Sequence, residues 1–223
     1  MTSFRLGSPF VDRLVLQRDR ENTIWGADEP GREVTLSVEG AGVETRRTVA
    51  DAQGRFALRC PPLRAGGPYR LRIEASETRV LEDVLSGEVW LASGQSNMEW
   101  KVSASANADA ELAAADFPDI RMFKVDPRFA WEPARKANGE WLASTPENTA
   151  EFSAVGYFFA RELHRRLRVP VGIIDATWGG TSIDSWMSRE ALRPLDPSYD
   201  ERWARLAEAE NELPRIRAEY QRT

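Results

Sequence analysis

The stretch Gly87-Glu88-Val89-Trp90-Leu91-Ala92-Ser93-Gly94-Gln95-Ser96-Asn97-Met98 decides how the rest of the chain is read. Val89-Trp90-Leu91-Ala92 is a continuous apolar run, the pattern of a parallel-sheet strand covered on both faces. The run ends in a glycine and then a serine. A serine just beyond the C-terminal end of a parallel strand lies in the crevice where α/β proteins bind ligands, and Gly94 permits a tight turn there. A nucleophilic serine needs that exposure, together with N–H donors for the oxyanion that forms on attack. Serine is also a preferred helix N-cap, so the pattern alone leaves Ser96 open between nucleophile and cap.

Upstream of this stretch the periodicity is different. Val34, Leu36 and Val38 alternate with Thr35, Ser37 and Glu39, and Tyr69, Leu71 and Ile73 alternate with Arg70, Arg72 and Glu74. A period of two marks strands with one buried face. Turn signals at Glu29-Pro30-Gly31, Gln53-Gly54 and Ala65-Gly66-Gly67-Pro68 punctuate them. Residues 43–49 and 80–84 are further strand candidates. The pattern predicts an N-terminal antiparallel β-sandwich over residues 1–85. No linker follows it, so the two domains are expected to pack closely.

Downstream, residues 120–125 read as a strand and residues 126–150 as a long loop. Phe152, Val155, Phe159, Leu163 and Leu167 recur at helical spacing, which predicts a helix with that stripe buried and Pro170 as its stop. Residues 171–176 form another buried strand. A glycine loop follows, Thr177-Trp178-Gly179-Gly180-Thr181-Ser182. Strand–helix–strand order predicts a parallel sheet with covering helices, so residues 86–193 are expected to form the N-terminal part of an incomplete three-layer α/β domain. Two glycines after a strand let backbone approach a ligand closely; the alternative is a plain turn with Thr181 or Ser182 as a cap. Residues 194–223 read as a charged helical segment. Tyr199, Trp203 and Leu206 form its stripe, Ser198 and Glu201 fit a capping box, and Pro214 is expected to break or kink it.

Composition bounds the function. The chain has 223 residues, 42% hydrophobic and 29% charged, which excludes disorder throughout. A net charge of −5 argues against a nucleic-acid partner. No apolar stretch approaches the ~20 residues of a membrane helix, so no membrane partner is expected. Met1-Thr2-Ser3-Phe4-Arg5 shows no signal peptide; a mature secreted form would look the same, so the compartment stays open. The single cysteine, Cys60, excludes a disulfide framework and a Cys-based zinc site. There is one histidine, His164, so an imidazole base is either that residue or lies outside the chain. Its helical stripe places it on a helix flank. Asp175 and Asp184 read as turn or cap residues.

Residues 87–100 resemble the first sequence block of the sialate O-acetylesterases, a branch of the SGNH (GDSL-like) hydrolases. Residues 178–186 are similar to that family's glycine block, and residues 152–160 also match. So do Val15-Leu16-Gln17-Arg18, Trp25-Gly26 and Glu29-Pro30-Gly31 near the N-terminus. The resemblance implies a serine carbohydrate esterase that removes O-acetyl groups from an acetylated carbohydrate, with no metal and no organic cofactor. It implies Ser96 as the nucleophile, and an oxyanion hole made by the backbone N–H of Ser96 and that of Gly179 or Gly180. It further implies substrate-facing roles for Gln95, Asn97, Trp178, Thr181 and Trp186. An acetylated plant polysaccharide of the xylan type is the alternative substrate, and a non-catalytic carbohydrate-binding scaffold the alternative function. The family's Tyr-Gln-Gly-Glu-type block and its closing Asp-x-x-His block are not found in the 223 residues. Residues 194–223 therefore read as the start of a helical insertion. The chain is expected to be the N-terminal portion of a longer enzyme, whose remaining C-terminal part would be its partner.

Overall fold

The computed structural model describes residues 3–40, 44–128, 134 and 136–220. The first half supplies strands β1 (Arg5–Leu6), β2 (Val15–Gln17), β3 (Asn22–Ala27), β4 (Glu33–Glu39), β5 (Glu44–Val49), β6 (Arg55–Cys60), β7 (Gly66–Glu74) and the long β8 (Thr78–Gly94). Strands β9 (Phe117–Lys124), β10 (Trp141–Ser144) and β11 (Val171–Thr177) follow. The helices are α1 (Ser96–Glu99), α2 (Ala108–Ala113), α3 (Pro146–Thr149), α4 (Ala154–Leu167), α5 (Arg189–Leu192) and α6 (Ser198–Tyr220). The chain divides into two compact units, Met1–Gly180 and Thr181–Thr223.

In the N-terminal half the period of two produces the expected sheets. Val34, Leu36 and Val38 of β4 are fully buried, while Glu33 and Glu39 at its ends are exposed. One sheet runs β1-β3-β6; the other includes β8-β7-β4-β5. They share an apolar core, with Ile24, Phe56 and Leu58 from the first and Leu36, Ile73 and Leu81 from the second.

Strand β8 is 17 residues long and joins this region to the parallel sheet. Its first part pairs antiparallel with β7, residues 85–87 pair parallel with β2, and residues 88–94 pair parallel with β11. The boundary expected near residue 85 thus falls inside a strand. At Gly87, in the stretch where pairing passes from β2 to β11, a Cβ would lie 2.0 Å from the Pro170 carbonyl oxygen, so only glycine fits.

The parallel sheet runs β9-β11-β8, with β10 antiparallel on its edge. This is the α/β arrangement that the strand–helix–strand order predicts. Its two faces are covered by different material. Tyr157 and Ala160 of α4 pack with Ile120, Met122, Val171 and Ile173 on one face. On the other, Phe123, Trp141 and Ile174 join the N-terminal core around Phe10, Leu14 and Val15. Trp141 Nε1 donates to the Pro9 carbonyl at 3.0 Å. Arg121, almost wholly buried, donates to the carbonyl of Arg13 at 2.8 Å and to the Asp83 carboxylate at 2.9 Å.

Several expectations are corrected. In α4 the residues facing inward are Ala154, Gly156, Tyr157 and Ala160, whereas Val155 and Phe159 are 49% and 41% exposed. A Cβ at Gly156 would lie 3.2 Å from Met122 Cε and 3.4 Å from Ile173 Cγ2, so small residues there let the helix come close to the sheet, and Tyr157 fills the space beside them. Trp90 and Leu91 are not covered on both faces; they are 47% and 66% exposed. Among the described residues, β11 is the only strand paired with residues 88–94, so this half of β8 is an open edge. Trp90 meets Phe159 there edge-to-face at 5.0 Å. Part of the presumed loop at 126–150 is the strand β10 and the short helix α3, while residues 129–133 and 135 lie outside the described residues. The early strand candidate begins at Glu44, Val43 lying outside the described residues. Helix α6 continues through Pro214 rather than breaking there. At its start Asp196 Oδ1 accepts the Ser198 N–H at 2.9 Å, so the capping side chain is Asp196 rather than the expected Ser198. The side chain of Leu206 lies outside the described residues.

Candidate active site

The register of the parallel sheet brings the two loops together. Gly94 of β8 pairs with Thr177 of β11, so the serine loop and the glycine loop leave the same end of adjacent strands. The Trp178 N–H donates to the Gly94 carbonyl at 3.0 Å and extends the pairing one residue further. The next two residues then pass beside the serine. The Gly180 N–H donates to Ser96 Oγ at 3.4 Å, a long bond. The Gly179 N–H donates to Glu99 Oε2 at 2.7 Å.

Ser96 is exposed and begins the single-turn helix α1. The cap of that turn is Gln95, not Ser96: Gln95 Oε1 accepts the Ser96 N–H at 3.0 Å. The same oxygen accepts the Ser96 hydroxyl at 2.8 Å. The Gln95 carbonyl takes the N–H groups of Met98 and Glu99 at 2.8 and 3.1 Å. The far end of the loop is held by α4. Ser153 donates its hydroxyl to the Met98 carbonyl at 2.5 Å and accepts the Gly156 N–H at 3.1 Å, so the cap of α4 also fixes the serine loop. The Ala154 N–H donates to the Trp100 carbonyl at 2.7 Å. Lys101 pairs with Glu151 at 2.5 Å, and the Glu151 carboxylate holds its ammonium above the ordinary lysine value.

The structure thus brings Ser96, Gln95, Gly179 and Gly180 together, with Glu99 among them. Sequence reasoning missed Glu99, although it lies within residues 87–100; only folding brings it against a residue eighty positions away. Asn97 is exposed, and Trp178 is 40% exposed. Thr181 and Trp186 belong to the second unit. There the Trp186 Nε1 donates to Thr181 Oγ1 at 2.8 Å. In that unit Asp184 accepts hydrogen bonds from the hydroxyls of Ser182 and Tyr199, which hold its carboxyl below the ordinary value.

Asp175 is not a turn residue. It lies within β11, fully buried, paired with Lys124 Nζ at 3.0 Å. Thr177 Oγ1 donates to its second oxygen at 2.6 Å. His164 is half-buried in the last turn of α4, and its Nδ1 is bonded to the Val169 carbonyl at 2.8 Å. That contact is at the start of β11, whereas the glycine loop leaves its end. The strand from Val171 to Thr177 spans roughly 20 Å, so the imidazole is at the wrong end of the sheet to take a proton from Ser96.

The sequence profile of a family described as carbohydrate esterase, sialic acid-specific acetylesterase, matches residues 86–219. The human sialate O-acetylesterase is 31% identical over 208 residues, which is 85% of this chain and 40% of the human protein. The rat sialate O-acetylesterase is 33% identical over 208 residues, covering 85% of this chain and 38% of its own length. Among solved structures, a carbohydrate acetylesterase from Xanthomonas citri superimposes with a TM-score of 0.81 at 41% identity, over 85% of this chain and 43% of that one. The chain therefore spans about 40% of the length of the relatives it matches.

Proposed function

Since the chain belongs to the sialic acid-specific acetylesterase family of carbohydrate esterases, we propose that it carries the serine half of an enzyme that removes acetyl groups from carbohydrate hydroxyls. The observation that supports this is the meeting of Ser96 Oγ with the Gly180 N–H at the C-terminal end of two adjacent parallel strands. Ser96 Oγ would attack the acetyl carbonyl carbon, and the carbonyl oxygen would take up negative charge opposite backbone N–H donors. The C–O bond to the sugar would then break, with the sugar leaving as a free hydroxyl and the acetyl group remaining on Ser96. Water would release acetate and restore the serine. Gln95, Asn97, Trp178, Thr181 and Trp186 are proposed to contact the substrate. The substrate class is an O-acetylated sugar, sialic acid being the one named in the family; xylan-type acetyl polysaccharide is the competing candidate.

A base must take the serine proton, and the position of His164 argues that it comes from elsewhere. We assign it to the remaining C-terminal part of the longer enzyme. In domain terms, residues 1–85 would be a β-sandwich domain, 86–193 the N-terminal, serine-bearing part of the hydrolase domain, and 194–223 the start of a helical insertion.

The test is acetyl capture. The chain is incubated with a large excess of 4-nitrophenyl acetate at alkaline pH, where hydroxide takes the serine proton in place of the absent base, then digested and analysed by mass spectrometry. One acetyl group on the peptide holding Ser96, absent in Ser96→Ala, is expected. Acetylation confined to lysines, with the Ser96 peptide unmodified, would overturn the nucleophile assignment.

A further inference from the structure

The N–H groups of Gly179 and Gly180 go to different partners. One is spent on the Glu99 carboxylate at 2.7 Å and the other faces Ser96 Oγ at 3.4 Å. A Cβ at Gly179 would lie 2.5 Å from that same Glu99 oxygen and 3.4 Å from Ser96 Oγ, so carboxylate, glycine and hydroxyl share one crowded corner. At Gly180 a Cβ would meet nothing within 4 Å; the requirement there is a φ of +76°, in the left-handed region. The two glycines are therefore needed for different reasons, one for close approach and the other for backbone conformation.

Glu99 is well placed to act as a tether. It ends α1, its own N–H is bonded back to the Gln95 carbonyl, and the residues on either side of it are fixed by Ser153 and Ala154. A bond from an amide to a carboxylate is about twice as strong as one between neutral groups. We propose that Glu99 is a positioning residue for the acetyl transfer at Ser96, an assignment that rests on the esterase reading given above. Its carboxylate ties the glycine loop to the serine loop and takes the Gly179 N–H out of the reacting space. Gly180 is left as the donor from the glycine loop to the oxyanion. The sequence pattern leaves Gly179 and Gly180 equivalent; Glu99 separates them. Tethering matters because a displacement of about 1 Å at such a donor is enough to cost a hundredfold in rate.

The test follows backbone amide resonances of the whole chain by NMR across pH, in the wild type, Glu99→Gln and Glu99→Ala. A tether to a carboxylate makes the Gly179 amide proton report the ionisation of Glu99. In Glu99→Gln that titration is expected to vanish while the Gly180 resonance stays near its wild-type position, because the Gln oxygen still accepts the bond. In Glu99→Ala both glycine resonances are expected to move. Phenylboronic acid, which forms a tetrahedral adduct on a serine beside an oxyanion hole, is expected to bind Glu99→Ala about tenfold more weakly than the wild type, with Glu99→Gln close to the wild type. A Gly179 titration that persists in Glu99→Gln, or glycine resonances and boronate affinity unchanged in Glu99→Ala, would overturn the proposal. Failure of the esterase reading gives a different result: the titration is lost in Glu99→Gln, which upholds the tether, but the wild type forms no boronate adduct and Ser96 captures no acetyl group.

Discussion

The His164 imidazole is bonded through Nδ1 to the carbonyl of Val169, 2.8 Å away. That bond closes the turn between α4 and β11 and belongs to the fold. His164→Ala is accordingly expected to cost about 1 kcal/mol of stability, the worth of one hydrogen bond, read from the urea midpoint. The rate of Ser96 acetylation should stay within twofold. Lacking an imidazole at the serine, the chain by itself should turn over acetyl esters far more slowly than the ~1 per second at the low end of ordinary enzymes. A faster turnover that disappears in His164→Ala would make this histidine the base.

Lys124 and Asp175 form an asymmetric pair, since the carboxylate is fully buried and the lysine side chain is 37% exposed. Removing the lysine strands a buried charge. Removing the carboxylate leaves an ammonium that still reaches water. Lys124→Met is expected to destabilise by about 3–5 kcal/mol and Asp175→Asn by about 1–3 kcal/mol. Equal costs, or the reverse order in denaturant titrations, would show that the burial of the pair is misjudged.

Leu91 and Ile173 lie on neighbouring strands and look alike in sequence, but Ile173 is buried and Leu91 is 66% exposed. Ile173→Ala should cost about 2–5 kcal/mol. Leu91→Thr should cost less than about 0.5 kcal/mol. A loss above about 2 kcal/mol at Leu91 would mean that this edge is covered in solution.

Asp28 supplies a pH dependence. It is fully buried after β3, which alone would push its carboxyl up. The Ser76 hydroxyl and N–H, at 2.6 and 2.8 Å, and the Glu29 N–H at 2.8 Å outweigh that and hold it below the ordinary value. A depressed carboxyl stabilises the fold above the unfolded value of about 3.9, and the stabilisation fades as pH falls through the folded value. The gap in urea midpoint between wild type and Asp28→Asn should therefore be full at pH 7 and smaller near pH 3. A gap that does not change with pH would remove Asp28 as the acid-sensitive contact.

Much of this was legible in the chain. Strands with one wet face announce themselves through alternation, as Val34, Leu36 and Val38 do. The serine and glycine loops were readable because strand ends in α/β sheets are where ligands bind. The inward face of α4 was not, because Ala154, Gly156 and Ala160 are chosen for closeness rather than apolarity, and a hydrophobic stripe counts only the latter. The exposure of Trp90 and Leu91 was hidden for a related reason: an apolar run shows what a strand could bury, not which neighbours are present. The role of Glu99 was invisible because a carboxylate after a serine motif looks like any surface charge until the fold brings Gly179 to it.

The continuity of β8 makes residues 1–180 behave as a beam rather than a hinge. Both apolar cores hang on one strand, and Gly87 leaves no room for it to slide past Pro170. Loosening either core pulls the backbone register out of the other, so the two should melt in one transition, with calorimetric and van't Hoff enthalpies agreeing. The same rigidity constrains any attempt to graft the serine loop onto a different support. A cut near residue 85, where the sequence changes character, would split the strand that sets the loop's position. The smallest piece to transplant is the whole beam.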